Sequence, residues 1–267
     1  MARKIFISSD IEGTCGITHW DETEHKYADY PRFAAQMTRE VAAACEGALQ
    51  GGAEEILVRD SHDTARNINH AELPEAATIF RGWGREPYSM VSGLTGEFSG
   101  VMFTGYHSAV GWNGNPLSHT MNTQNISIKV NGETMSELMM NSLTAAMEGV
   151  PVLMVTGDKM LCDWFHTKVP AALTVAVNEG RGDGVIAMHP DKAVRLIRET
   201  AEKAMQLDPA ACMFPLPEHF KVEVSFRLHQ KARSASWYPG VKQVDSRTVV
   251  FECDCWADAL AFFHFCL

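Results

Sequence analysis

A chain of 267 residues with 46% hydrophobic side chains is long enough to bury a full core, as one large domain or two unequal ones. Its formal net charge of -10, with no clustered run of Lys and Arg, excludes a nucleic-acid backbone as the main partner. Seven scattered cysteines without a CxxC pair argue against a disulfide framework, and no apolar leader or membrane-length apolar run is present, so a soluble, cytoplasmic protein with reduced thiols is expected.

The first element is the short apolar run Ile5-Phe6-Ile7-Ser8-Ser9, which reads as a buried strand. Its carboxyl end delivers Asp10 and Glu12 into a glycine-bearing loop. The two lie two residues apart, so in extended backbone both side chains leave one face and converge. Residues 18–30 are polar and mixed in charge and read as a surface loop. Pro31 then suits a first helical turn, Phe33, Met37, Val41, Cys45 and Ala48 recur at helical spacing, and Gly51-Gly52 ends the helix. A second strand over residues 55–60 completes a βαβ unit and exits into Asp60-Ser61-His62-Asp63.

Residues 64–100 are mixed and broken by Pro74 and several glycines. A third strand over 100–106 ends on His107, and a Gly/Asn/Pro-rich loop over 108–117 follows. Residues 126–130 alternate and close on Asn131-Gly132, a hairpin signal. Ser136 caps a helix reaching about residue 148 with Glu137 in its first turn. Residues 150–158 read as an interior strand and 173–177 as a fifth, and His189-Pro190 opens another amphipathic helix. Past Asp208 the prolines 209, 215 and 217 mark a break, and alternation over 221–226 and 248–252 predicts antiparallel strands closed by a helix over 258–267. The expected fold is α/β, with a largely parallel sheet flanked by helices over residues 1–208 and a smaller C-terminal α+β subdomain, 209–267, packed on it.

The chemistry-bearing residues gather at strand ends. Taken singly, an Asp after a strand is an ordinary cap and a His an ordinary surface or core residue. Parallel strands of one sheet, however, place their carboxyl ends on one edge, where sites form. Asp10, Glu12, His62 and His107, with Glu137 at a helix start, are therefore candidate metal ligands. The three carboxylates beside two neutral imidazoles would neutralise two divalent ions sharing a hydroxide, whereas one ion would leave the site negative. Mixed His and carboxylate ligation favours zinc, and a two-ion site is a known hydrolytic device. His119, across the loop from His107, fits a sixth ligand, a catalytic acid/base or a structural residue, and the residues alone favour the last. Asp60 is a candidate for orienting a ligating His. Asp63, Asp158 and His189 are weaker, and Cys15 reads as core packing rather than a nucleophile.

Six motifs stand in one order along the chain: Ser9-Asp10-Ile11-Glu12-Gly13, Asp60-Ser61-His62, Pro87-Tyr88-Ser89-Met90-Val91-Ser92-Gly93-Leu94, Gly105-Tyr106-His107, Ser118-His119-Thr120-Met121 and Ser136-Glu137-Leu138. In this the chain resembles the zinc-dependent D-aminopeptidases of peptidase family M55 from about residue 4 to at least 205. The resemblance implies two zinc ions on Asp10, Glu12, His62, His107 and Glu137, and it makes His119 the catalytic residue. It further implies a short peptide substrate, D-amino-acid peptides above all, and a homo-oligomer, a decamer built from pentamers. The expected mechanism is attack on the first carbonyl by a metal-bridging hydroxide, with His119 moving the proton. Asn178 departs from the lysine that the resemblance implies there, with altered substrate contacts as the expected consequence. Two alternatives stay open: a dinuclear hydrolase of a non-peptide amide or phosphoester, and a peptide-binding protein without turnover.

Overall fold

The structure, a computed structural model that describes residues 3–267, is an α/β fold with a seven-stranded sheet flanked by helices and a smaller second sheet. In chain order the large sheet is built from β1 (Lys4–Ser9), β2 (Glu55–Asp60), β3 (Ala77–Phe80) and β4 (Gly100–Tyr106). The small sheet then opens with β5 (Asn125–Val130) and β6 (Glu133–Thr134). β7 (Val152–Asp158), β8 (Leu173–Arg181) and β9 (Gly184–Ala187) return to the large sheet, and β10 (Phe220–Phe226), β11 (Lys242–Gln243) and β12 (Thr248–Cys253) finish the small one. The helices are α1 (Tyr30–Gln50), α2 (Glu137–Met147), α3 (Lys159–Lys168), α4 (Pro190–Ala204), α5 (His229–Ala235) and α6 (Trp256–Cys266).

The large sheet runs β3-β2-β1-β4-β7-β8-β9 and is parallel except for the last pair. Strand order reverses between β1 and β4, so the crevice outside their carboxyl ends is a topological switch point. Register sets the level of the site: Ser9 lies opposite both Asp60 and Thr104, so the residues that follow all three strands leave the sheet at one height. β1, β4 and β7 are buried along nearly their whole length, as continuous apolar runs in a parallel sheet should be. α1 turns Met37, Val41, Ala44, Cys45 and Ala48 inward, each fully buried or nearly so. Burial of a Met or Val side chain contributes about 1.5–3 kcal/mol, which fixes the helix that backs the β1–β2 unit.

The second sheet, ordered β11-β12-β10-β5-β6, is antiparallel. Residues 209–267 do not build it alone: β5 and β6, joined at the expected Asn131-Gly132 turn with both residues left-handed, come from between β4 and α2. The apolar core is continuous from β1 to α6, and the buried Trp256 indole N–H donates to Thr144 Oγ1 of α2 at 3.0 Å.

Several elements differ from expectation. β3 forms at the sheet edge out of the stretch that Pro74 and the glycines seemed to break, because four residues suffice for an edge strand. α3 follows β7 directly, capped by Asp158 and buried through Leu161, Cys162 and Phe165. β8 extends beyond residue 177 and turns back antiparallel as β9. Among the described residues no helix is long and apolar enough to cross a membrane.

Candidate metal centre

The site grows from the loop after β1. Asp10 N–H donates to Thr104 O at 2.9 Å and Gly13 N–H to Gly105 O at 2.8 Å, which pins the loop to the end of β4. Glycine is required at both contacts: a Cβ on Gly13 would lie 1.9 Å from Tyr106 O, and one on Gly105, at φ +68°, would lie 2.2 Å from Asp10 O. The close approach carries Asp10 and Glu12, both almost fully buried, into the crevice.

Asp10 stands between two histidines. Its Oδ1 is 3.4 Å from His62 Nδ1, and its Oδ2 is 3.4 Å from His107 Nε2. Glu12 Oε2 lies 3.1 Å from His62 Nδ1, and Glu137 Oε2 lies 3.4 Å from His107 Nε2. Two triads result, Asp10–Glu12–His62 and Asp10–Glu137–His107, with Asp10 common to both. Ligand atoms about 2.1 Å from a tetrahedral zinc lie roughly 3.4 Å from one another, close to the separations seen here. His107 Nε2 and Glu12 Oε2 are buried without a hydrogen-bond partner, although each faces opposite charge. Orphaned polar atoms of this kind are costly unless something else meets them, and a cation on each triad fits that demand.

The outer nitrogen of each imidazole is already assigned. His62 Nε2–H donates to Thr23 O and His107 Nδ1–H to Ser108 O, both at 2.9 Å, leaving His62 Nδ1 and His107 Nε2 to face the carboxylates. Behind His107, the Asp158 carboxylate accepts from Ser108 N–H and Oγ–H and from Leu161 N–H. Behind His62, Asn67 donates to His62 O and Asp60, so Asp60 acts on the loop that carries the histidine rather than on its ring. Glu137 enters as the first residue of α2, whose N-cap Ser136 Oγ accepts from Met139 N–H, and its Oε1 accepts from Met121 N–H at 2.6 Å.

His119 reaches the same crevice. Its ring stacks on His107 at 4.4 Å, Nδ1–H donates to Leu117 O at 2.9 Å, and Nε2 lies 3.6 Å from Glu137 Oε1 and 3.9 Å from Glu12 Oε1. Asn115 ties this turn to the loop after β1 by donating to Glu12 O while accepting from Leu117 N–H. Sequence reading missed the other side of the crevice. Of residues 18–30, expected at the surface, 25–29 are exposed, but the part before them folds over the crevice: Trp20 packs edge-on against His119 at 5.2 Å, and Thr23 is fully buried with its carbonyl on His62. A tryptophan inside a polar stretch was the available signal.

Electrostatics follow from burial and crowding. Burial, then Glu12, raises the Asp10 carboxyl well above its usual value, while for Glu12 burial is opposed by His62, His107 and His119, which together hold that carboxyl low. Burial opposes charge on His62 and His107, yet Glu12 for the first and Glu137 for the second raise both imidazoles well above the ordinary value. Cys15, whose thiol donates to Met188 O, is pushed up to about 12 by burial and is no nucleophile. His189 is an exposed N-cap of α4. Asn178 is not in the cavity wall: buried, it accepts from Gly16 N–H and donates to Thr14 O, so it clamps the loop beyond Glu12 instead of meeting substrate.

Glu40 of α1 supports the same loop, accepting from Cys15 N–H and from Gln36, and its second oxygen has no partner. Burial pushes its carboxyl from 4.5 up to about 7. A pKa raised on folding means the proton binds the folded state more tightly. The associated stability is complete below about 4.5 and is lost as pH rises through 7. Glu40→Gln keeps an acceptor for both donors and removes the buried charge. It is therefore expected to stabilise the protein at pH 8, by about 3 kcal/mol or less, and to change little at pH 5. Thermal melts at the two pH values check this, and equal shifts at both would contradict it.

Above the centre opens a cavity of about 690 Å³, walled by Trp20, Asp63, Trp83, Arg85, Ser89 and Met121 among others, with Asp10, Glu12, His62, His119 and Glu137 at its floor. The volume lies within the range for small-ligand sites.

The sequence model of the peptidase M55 family, described as D-aminopeptidase, matches residues 3–265. The chain is similar to the D-aminopeptidase of Bacillus subtilis (strain 168), 29% identical over 251 residues that cover 93% of this chain and 91% of that protein. It is also similar in structure to the Zn-dependent D-aminopeptidase DppA from Bacillus subtilis, a self-compartmentalizing protease. There the TM-score is 0.88 at 28% identity, over 97% of this chain and 95% of that one.

Proposed function

Because the chain belongs to peptidase family M55, the D-aminopeptidases, we propose that it is a dinuclear zinc aminopeptidase removing the N-terminal residue of short peptides, D-amino-acid peptides above all. The observation that carries the reading is Asp10, one carboxylate oxygen toward each of two His–Glu pairs, with its neighbours at ligand spacing. Asp10, Glu12 and His62 would hold one ion, and Asp10, His107 and Glu137 the other. Zinc bound there supplies the Lewis acidity that polarises a peptide carbonyl and makes hydroxide accessible at neutral pH.

The chain's own residues do the rest. Thr23 O and Ser108 O hold the outer N–H of each imidazole, so the inner nitrogen is the one that gives up its proton to an ion. His119, bound through Nδ1–H to Leu117 O, presents Nε2 to the crevice. There it takes the proton released as the nucleophile adds and returns it to the leaving amine. Trp20 holds that ring against His107 and shields it from bulk water. All seven cysteines are free thiols, consistent with a reducing, cytoplasmic setting. Trp237 and Phe265, each about three-quarters exposed beside Tyr238, form the kind of surface that a further copy in a homo-oligomer would cover.

The test is hydrolysis of D-Ala and L-Ala p-nitroanilide by protein stripped of metal and then reloaded with zinc. Zinc-dependent cleavage of the D form is expected. Preference for the L form would overturn the stereochemical part, and no cleavage of either by zinc-loaded protein would overturn the peptidase reading.

A further inference from the structure

Among the lining residues of the cavity Arg85 alone is permanently cationic, and Glu24, Asp63 and Glu86 share the outer wall with it. Its guanidinium has no hydrogen bond or ion pair among the described residues. Its backbone is left-handed, with φ +59°, although an arginine side chain offers none of the local hydrogen bonding that lets Asn or Asp adopt that conformation. Gly84, which could take a positive φ at no steric cost, does not take it. Asp63, Ser89 and Met121 are left-handed too, so four of the six such non-glycine residues among those described line this one cavity. Backbone held in sparsely populated conformations concentrates where a ligand is gripped.

The segment before Arg85 is anchored from beneath. Buried Arg59 donates to Phe80 O and Gly82 O and lies 4.6 Å from the rings of both Phe80 and Trp83, and Trp83 Nε1–H donates to Asp63 O at 2.7 Å. Arg85 is thus presented from a supported strand exit.

On the peptidase reading, the amino end of a substrate lies at the centre, and a short peptide brings its free C-terminal carboxylate into the outer cavity. Of the permanently charged side chains that line it, Arg85 is the one that attracts a carboxylate, and its planar fork matches that group. We propose that Arg85 receives the C-terminal carboxylate of the substrate and so makes the enzyme selective for short peptides with a free carboxyl end. This inference rests on the function proposed above.

The experiment compares D-Ala-D-Ala with its C-terminal amide on zinc-loaded wild type, Arg85→Gln and Arg85→Lys. Calorimetric binding of both peptides in a His119→Ala background accompanies the kinetics. Arg85→Gln is expected to raise KM for the free acid about 10- to 100-fold, the range for a lost charge-assisted hydrogen bond, with kcat within about twofold and the amide unaffected. Arg85→Lys should keep part of the preference for the acid. Equal effects on acid and amide, or none on either, would overturn the assignment. Wild type that cleaves neither peptide would count against the peptidase reading instead. In that case, a preference for binding the acid that survives Arg85→Gln would still overturn the role of Arg85.

Discussion

Replacing His119 with alanine is expected to lower kcat by about 10²- to 10⁴-fold while leaving the zinc content of the protein unchanged. The ring has one hydrogen bond, to Leu117 O, stacks on His107 and meets Trp20 edge-on, while Asn115 and Ser118 hold the loop by bonds of their own. Its removal should leave a small polar gap and a folded protein. Metal analysis beside turnover separates the possible roles. His119 also forms a third close cluster with Glu12 and His107. Loss of an ion in the variant would therefore make it a ligand, and full activity would remove it from the mechanism.

Asp10→Asn should have the broadest effect on the centre. Each of its oxygens faces a different histidine, so the substitution weakens both triads at once, whereas Glu12→Gln and Glu137→Gln each touch one. Even changes to the groups behind a ligand cost 10- to 100-fold in metal affinity, so loss of a shared ligand is expected to cost more than about 10²-fold and to take activity with it. Stability should move the other way in metal-free protein. Burial and Glu12 disfavour the Asp10 charge, and asparagine keeps the acceptor that Asp10 Oδ1 offers to Ile11 N–H at 2.8 Å. Metal-free Asp10→Asn protein is thus expected to melt no lower than metal-free wild type. A variant that binds both ions as tightly as wild type would refute the shared-ligand role.

The parallel interior of the large sheet and its edge of acidic and histidine residues were legible because continuous apolar runs mark buried parallel strands and a common strand direction brings their ends together. Asp10, Glu12, His62, His107 and Glu137 duly meet in one crevice. What the pattern did not carry was three-dimensional sharing. Periodicity does not reveal that Asp10, rather than either Glu, lies between the histidines. Nor does it show that β5 pairs with β10, some ninety residues on, because antiparallel pairing of that span leaves no local mark. The fold-over of Trp20 and Thr23 was hidden by composition: a polar stretch reads as solvated, but one backbone carbonyl, Thr23 O, suffices to make it part of the site. Asn178 illustrates the same limit. Its clamp on Thr14 and Gly16 joins residues more than 160 positions apart, and only the sheet brings them together.

The central claim, that two ions on a shared Asp10 carry peptide hydrolysis, is tested most directly by adding zinc stepwise to metal-free protein while following D-Ala p-nitroanilide cleavage. Activity should lag through the first equivalent per chain and reach its plateau with the second. Full activity at one equivalent, or none with both ions bound, would contradict it.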